Sequence, residues 1–325
     1  MVLKKVSVIL VNYNSMPHID VCMQSILSQS YENYEIIFVD NNSSDKSLEY
    51  ARRKYPQLIF VANDNNLGYA GGINSGLAHA KGEYISPLNV DTEVSTNLLQ
   101  VMTGFLDKHP DVGAVMPKIL LYHDRQRVNT LGSDIHITGL SFCRGLNEID
   151  DNSTRTFRVS GVSGCSYLIR REILERLGGI PEESSMGNDD VILSWLVNLM
   201  GWEIYCMPEA VVYHKYKLKM NPEKLFELEK GRQTLLLYSL KPLTVAIYLP
   251  IFAITEILIL GYCLLKGRRY TASKFRVVRE LYRDRKYIKE RRVQVQKLRR
   301  ISDFELFKKL KWNLKWRQLF FTLTR

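Results

Sequence analysis

The segment Val6-Ser7-Val8-Ile9-Leu10-Val11 is an almost unbroken run of β-branched and aliphatic side chains that stops abruptly at Asn12-Tyr13-Asn14-Ser15. A strand of that composition offers no polar face to water. It must be covered on both sides, as a parallel strand inside an α/β sheet is. The pattern recurs. Glu35–Asp40, Leu58–Ala62, Tyr84–Leu88 and Val112–Met116 read as further strands. Pro17–Ser28, Ser47–Tyr55, Tyr69–Ala80 and Thr96–Lys108 read as the helices between them, the first with Ile19, Met23, Ile26 and Leu27 on one face. Regular alternation with short links predicts a Rossmann-like, doubly wound, mostly parallel sheet. Ligands of such sheets sit beyond the carboxyl ends of the strands. Those ends carry Asn12-Tyr13-Asn14-Ser15, Asp40-Asn41-Asn42-Ser43-Ser44-Asp45 and Asn89-Val90-Asp91.

From Leu120 to Arg158 the pattern loosens into short β-like pieces around Gly132, Gly139 and Gly145, with no firm assignment. Val162–Arg170 then reads as a strand, and Arg171–Leu177 as a helix stopped by Gly178-Gly179. Asp189-Asp190 opens a helix to about Met200, with Ile192, Trp195, Leu196 and Leu199 on its apolar face.

The chain has 325 residues, 46% of them hydrophobic, enough for a large core and against global disorder. Its net charge of +11 is unevenly spread. Residues 266–325 hold 21 Lys and Arg against 5 Asp and Glu, whereas residues 1–265 hold 24 against 29. The basicity is a property of the tail, and a segregated basic tail implies an anionic partner. The five cysteines, Cys22, Cys143, Cys165, Cys206 and Cys263, form no CxxC pair, which fits scattered thiols in a reducing compartment. The apolar run at Val6–Val11 is too short to be a signal peptide.

Single motifs each admit a bland reading. Asp40 could accept hydrogen bonds from a ribose or base, but Asx/Ser clusters are also ordinary turn formers. The glycines of Gly68-Tyr69-Ala70-Gly71-Gly72 could let a phosphate approach a helix N-terminus, or let the helix pack tightly on the sheet. In an extended segment Asn89 and Asp91 would point the same way and could face one hard cation. Asp189 and Asp190, in a first helical turn, are expected to be stabilised as anions. His214 by itself is more often structural than a ligand.

In combination the motifs say more. Val8-Ile9-Leu10-Val11-Asn12-Tyr13-Asn14, Val39-Asp40-Asn41-Asn42-Ser43, Asn66-Leu67-Gly68-Tyr69-Ala70-Gly71-Gly72-Ile73-Asn74, Leu88-Asn89-Val90-Asp91, Gly161-Val162-Ser163-Gly164-Cys165, Asp189-Asp190-Val191 and Pro208–His214 follow one another in order. Over residues 5–216 they resemble family 2 inverting glycosyltransferases, most closely a rhamnosyltransferase-like branch that builds cell-surface polysaccharides. The resemblance implies a GT-A fold, a nucleotide diphosphate sugar donor, and Mg²⁺ or Mn²⁺. On the donor side it implies Asn12, Asn14, Asp40, Asn42, Gly71, Gly72, Asn74, Asn89 and Asp91. It implies Asp91, Asn89 and His214 at the metal, Gly164 and Cys165 on the acceptor side, and Asp190 as general base with Asp189 in support. Two departures stand out. Ile192 and Leu196 replace a charged pair of the family pattern and could pack together instead, and Asn89 replaces an Asp at the first metal position.

These readings place a catalytic domain over residues 1–230 and a helical appendage over 231–325. Pro242–Leu265 is long enough to span a bilayer and carries one charge, Glu256. A single crossing would separate the catalytic domain from the basic tail, although both belong on the cytoplasmic side. A re-entrant or interfacial arrangement is therefore expected, with a docked helix as the alternative. Residues 270–317 read as basic helices with Phe275, Tyr282, Phe304, Trp312 and Trp316 interleaved, suited to an anionic membrane surface rather than to nucleic acid. The acceptor implied is a glycan or lipid-linked glycan. Transfer to polyprenyl phosphate, and a non-catalytic scaffold that only binds the nucleotide sugar, are the alternatives.

Overall fold

The computed structural model describes residues 3–183, 187–216, 220–315 and 318. Trp316 lies outside them. The chain begins as expected: β1 (Val6–Asn12), α1 (Ile19–Leu27), β2 (Tyr34–Asp40), α2 (Ser47–Lys54), β3 (Ile59–Ala62), α3 (Gly68–Leu77), β4 (Tyr84–Asn89), β5 (Thr92–Val94), α4 (Leu98–Lys108) and β6 (Val112–Leu121). β7 (Asp124–Thr130), β8 (Ser133–Ile135), β9 (Ser141–Cys143) and β10 (Phe157–Arg158) fill the unassigned stretch. Then come β11 (Leu168–Arg170), α5 (Arg171–Leu177), α6 (Asp189–Leu199) and β12 (Glu203–His214). The C-terminal helices are α7 (Pro222–Ser239), α8 (Pro242–Ile247), α9 (Leu249–Lys266), α10 (Arg268–Arg283), α11 (Arg285–Leu298) and α12 (Asp303–Lys309).

The main sheet runs β10-β12-β6-β11-β4-β1-β2-β3, with β5 on β12 and β7 on β6. β4, β1, β2 and β3 are parallel neighbours, as are β12 and β6. β11 lies antiparallel between β4 and β6 and joins the two parallel groups. The strand expected over Val162–Arg170 is shorter: a turn at Gly164-Cys165, flanked by single β-bridges at Gly161, Ser163 and Ser166, precedes β11. β1 and β2 pair in register from Val6↔Tyr34 to Asn12↔Asp40, so their polar ends emerge side by side.

The glycines of α3 answer to packing. A Cβ on Gly72 would come within 2.6 Å of a Val11 methyl, and one on Gly76 within 2.6 Å of an Ile9 methyl. A Cβ on Gly71 would strike Leu67 Cβ at 2.7 Å. The helix lies so close to β1 and β2 that larger residues do not fit. At Gly72 and Gly76 small residues serve helix–sheet contact, and at Gly71 the crowding comes from Leu67 at the helix's own start.

The expected boundary at 230/231 falls inside α7, and the helices beyond it are built into the core. Ile288, Val295, Leu306, Phe307 and Leu310 are buried in the same apolar cluster as the sheet. Beyond α12 the chain extends, and Lys311 forms a β-bridge with His136. Glu256 also finds partners inside the protein. It pairs with Arg232 and, at 2.6 Å, with Lys274; both cations pair with buried Glu229. Burial alone would raise the Glu229 carboxyl, but Arg232 and Lys274 outweigh it and bring it down to about 2. This network docks one flank of α9, where Thr255, Ile259 and Cys263 are buried. The other flank leaves Ile254, Ile257, Leu264 and Leu265 exposed. By length and composition α9 could cross a bilayer. One flank of it packs against the protein and the other is exposed.

If the tail helices share the catalytic core, Phe307→Ala should destabilise the whole chain. A buried Phe→Ala change costs about 3–5 kcal/mol. Urea unfolding followed at the sheet should shift to lower denaturant as one transition. An unchanged midpoint for the sheet would show an independent tail.

Candidate active site

The carboxyl ends of β1 and β2 are knitted to one another. Asn12 Nδ2 donates to Asp40 Oδ1 at 2.6 Å and lies 2.7 Å from Ser47 Oγ; Asp40 Oδ2 accepts from Ser43 N at 3.0 Å. Asn14 Oδ1 accepts from Ser44 N at 2.8 Å. Asn14 and Asn42 both have positive φ, +52° and +63°, a conformation that Asn tolerates better than most residues. Asn12 and Asp40 are buried, whereas Asn14 and Asn42 are exposed at the rim. The side chains of Asn12 and Asp40 therefore first shape this loop. Asn74 is engaged elsewhere: its amide clasps Ile180, donating to the carbonyl at 2.9 Å and accepting from the N–H at 2.7 Å, and also reaches Glu182. It braces the chain leading to α6.

Asp91 and His214, 123 positions apart in sequence, meet. β4 ends at Asn89, and a turn at Val90–Asp91 replaces the extended geometry expected there. β5 then pairs antiparallel with β12, with Thr92 opposite His214. Lys215 N donates to Asp91 O at 3.1 Å. The result sets His214 Nε2 3.4 Å from Asp91 Oδ1. His214 Nδ1 lies 2.9 Å from the Asn129 amide oxygen. An amide oxygen only accepts, so Nδ1 carries a proton, and Nε2 is turned toward Asp91. Burial alone would lower the His214 pKa; the neighbouring Cys165 and Asp91 outweigh it and push it up to about 10. Burial would likewise raise Asp91, and its hydrogen bond to His214 reverses that, holding the carboxyl below its ordinary range.

A cleft of about 560 Å³ opens on this pair, lined also by Pro17, His18, His123, Lys215 and Tyr216. Among the described residues no three His, Cys, Asp or Glu side chains gather as an ion cage. The donor set fits a hard divalent cation held by few protein ligands, its remaining positions open to substrate oxygens. The Asn129 contact is the outer support that such a histidine ligand requires.

Asp190 stands at the start of α6, after Asn188 in the left-handed conformation, φ +77°. Its Oδ2 accepts from Gly164 N at 2.7 Å. Gly164 O accepts from Tyr69 Oη at 2.6 Å, and Cys165 O accepts from Asn89 N at 2.9 Å. The Gly164-Cys165 turn thus touches the Asp190 carboxylate, the end of β4, and the surroundings of His214. The expectation that the helix terminus would stabilise both carboxylates as anions does not hold, because burial dominates. Asp189 is pushed up to about 7 by burial and then by the charge of Asp190. Asp190 is also raised by burial, less so because the Gly164 and Val191 N–H groups favour its charged form. Ile192 and Leu196 are both buried in the core, so the apolar pair does pack as one surface.

Sequence reasoning missed Asn129, His18 and Lys215. Lys215 adjoins His214 and could have been noticed. Asn129 gave no signal, because its role arises only from β7 lying along β6 next to β12.

The N-terminal portion matches the model for Glycosyl transferase family 2 over residues 7–178. The chain is 27% identical to the poly-beta-1,6-N-acetyl-D-glucosamine synthase of Staphylococcus epidermidis over 64% of this chain and 49% of that protein. It is also 27% identical to the enzyme of that name from Staphylococcus aureus strain COL, over 71% of this chain and 53% of the relative. It therefore spans about half the length of these curated relatives. Among solved structures it is similar in fold to GalNAc-T7 with UDP, GalNAc and Mn²⁺, with a TM-score of 0.61 and 18% identity over 76% of this chain and 50% of that one. It is similar as well to the mannosyltransferase PcManGT from Pyrobaculum calidifontis in complex with GDP-Man and Mn²⁺, with a TM-score of 0.53 and 20% identity over 90% and 85%. The fold is GT-A, and with the family model covering more than half of its residues the chain belongs to glycosyl transferase family 2.

Proposed function

We propose that this chain is an inverting glycosyltransferase that moves a sugar from a nucleotide diphosphate donor to a hydroxyl of a glycan or lipid-linked glycan, in the synthesis of a cell-surface polysaccharide. The observation that carries this reading is the convergence of Asp91 and His214, from distant parts of the sequence, on one cleft, with the Gly164-Cys165 turn linking the Asp190 carboxylate to the end of β4 that leads to Asp91. The Staphylococcus relatives, named as polysaccharide synthases, support the product class.

Asp91 and His214 would hold the divalent ion, Mg²⁺ or Mn²⁺, with Asn89 beside them. When bound, that ion supplies positive charge to the donor diphosphate and stabilises it as a leaving group. The rim formed by Asn14, Asn42 and the Asp40 loop would receive the nucleoside. Gly164 and Cys165 would border the acceptor. Gly164 orients the Asp190 carboxylate through its N–H, and burial raises the affinity of Asp190 for a proton. Asp190 takes the proton of the acceptor hydroxyl as that oxygen bonds the anomeric carbon and the bond to the diphosphate breaks on the opposite face. Asp189, raised further, shares the site's negative charge with its neighbour without adding a full second one at neutral pH.

The reading places the enzyme at the cytoplasmic face of a membrane. Support comes from the exposed flank of α9, from Phe275, Val278 and Tyr282 exposed along α10, and from the basic character of the tail. With α9 docked by its Glu256 network, the arrangement favoured is monotopic, the apolar flank resting in the interface.

Three measurements test these points. Asp190→Asn should bind donor normally and transfer at least about a hundredfold more slowly, the scale of general-base catalysis; chelation should abolish transfer in the unaltered protein and added Mn²⁺ restore it. Near-normal turnover by Asp190→Asn would remove the base from the mechanism. A second test follows from the raised Asp189. The unfolded chain ionises this group near pH 4, and the folded one only near pH 7. Asp189 therefore costs stability progressively as pH rises through that window. Asp189→Asn should gain stability relative to the unaltered chain between those limits and stay level above them, as read by urea unfolding at stepped pH. A third uses vesicles. Binding to vesicles with anionic lipid should survive high salt, and Ile257→Glu with Leu265→Glu should weaken it at least about tenfold, given roughly 1.5–3 kcal/mol for each large apolar side chain buried. Equal binding by the double variant would rule out the α9 flank as the contact.

A further inference from the structure

The cleft at Asp91 and His214 has a second feature on its lining. Lys215 follows His214 at the end of β12, and its Nζ lies 3.0 Å from His18 Nδ1 and 4.8 Å from the centre of the Tyr122 ring. His18 closes the short 3₁₀ turn Met16–His18 after β1. Met16 N donates to Asp45 Oδ2 at 3.0 Å, so the loop that carries Asp40 also sets the height of His18. Because an ammonium only donates, the Lys215 contact makes His18 Nδ1 an acceptor and assigns the ring proton to Nε2.

The comparison with other sheltered lysines is informative. Lys118 is neutralised by Asp150 at 2.7 Å, Lys309 by Glu203 at 2.6 Å, and Lys274 by Glu229 and Glu256. Lys215 is half-buried, and its partners are an imidazole acceptor and an aromatic face, neither of which cancels its charge. A sheltered ammonium without a carboxylate is poorly compensated, and it stands in a cleft open to an incoming ligand. The nearest acidic group on that lining, Asp91, is already matched by His214.

Building on the proposed nucleotide-sugar reaction, we propose that Lys215, with His18 holding it, is a direct binding group for the donor diphosphate and for the nucleoside diphosphate that leaves. A diphosphate carries more negative charge than one divalent ion, already shared with Asp91, can neutralise. A preorganised ammonium beside the ion supplies the remainder where charge grows as the sugar departs. The position explains why a lysine follows the metal-site histidine directly. The β5–β12 pairing that brings His214 to Asp91 also delivers the next residue to the same cleft.

The test compares two charges on one ligand. Binding of UDP, GDP and dTDP, each with its monophosphate, is measured by calorimetry in Mn²⁺ for the full chain, Lys215→Met, Lys215→Arg and His18→Gln. For whichever diphosphate binds the unaltered chain, Lys215→Met should weaken it at least tenfold while the monophosphate changes less than threefold. Lys215→Arg should restore most of the loss, and His18→Gln should fall between. If Lys215→Met does not fold, Lys215→Gln carries the same comparison. Diphosphate affinity unchanged in the Lys215 variants, or an equal loss for mono- and diphosphate, overturns this assignment alone. An unaltered chain that binds none of the three diphosphates overturns the nucleotide-sugar reading on which it rests.

Discussion

At Gly164 and Cys165 three hydrogen bonds fasten the lobes of the site together: Gly164 N to Asp190, Tyr69 Oη to Gly164 O, and Asn89 N to Cys165 O. The first fixes the carboxylate at the start of α6, the second ties in α3, and the third ties in the end of β4. α3 and β4 follow one another in the chain, whereas α6 comes about a hundred residues later, so the turn joins the early half of the sheet to a much later helix. The turn can sit here because β11, antiparallel between β4 and β6, ends the sheet's central gap just below it. A Cβ on Gly164 would meet Asp190 only at ordinary van der Waals distance, 3.5 Å, so what this position contributes is its backbone N–H rather than the absence of a side chain. The position of the Asp190 carboxylate thus depends on main-chain polar groups, which a low-dielectric setting makes both strong and costly to leave unpaired.

Much of this was legible in the chain. Continuous apolar runs ending in polar clusters specified the parallel strands, and the ordered motifs pointed to Asp91 and His214, which the fold brings within 3.4 Å of one another. Where the structure adds to the sequence, the causes are physical. The glycines of α3 look like a phosphate cradle, yet the Ile9, Val11 and Leu67 side chains explain them through close packing. Asn74 looks like a donor contact but spends its amide on Ile180. The Asp pair was read as anionic from helix position alone. Burial reverses that, and burial is a property of the assembled fold. Asn129 lay in a stretch without periodicity, and only pairing in three dimensions brings it to His214.

The tail shows how composition can mislead in a different way. A segment with one charge in twenty-four residues reads as a bilayer span. Glu256, however, does not stand alone: Arg232 and Lys274 meet it and Glu229 completes the network. Breaking one member of such a group leaves an uncompensated charge, which is far costlier than the group is stabilising. The network is therefore better understood as fixing the orientation of α9 than as a source of stability. It turns one flank toward the protein and leaves the apolar flank outward.

The bridge between His136 and Lys311 joins positions 175 residues apart, and Leu306, Phe307 and Leu310 complete the core beside it. Long-range pairings of this kind come late in folding, since a large loop must close before its contacts form. On a ribosome the catalytic sheet would wait, partly uncovered, until almost every residue had emerged. Premature termination anywhere before α12 would consequently yield a lobe with an open apolar seam, a substrate for chaperones and proteases rather than a smaller working enzyme.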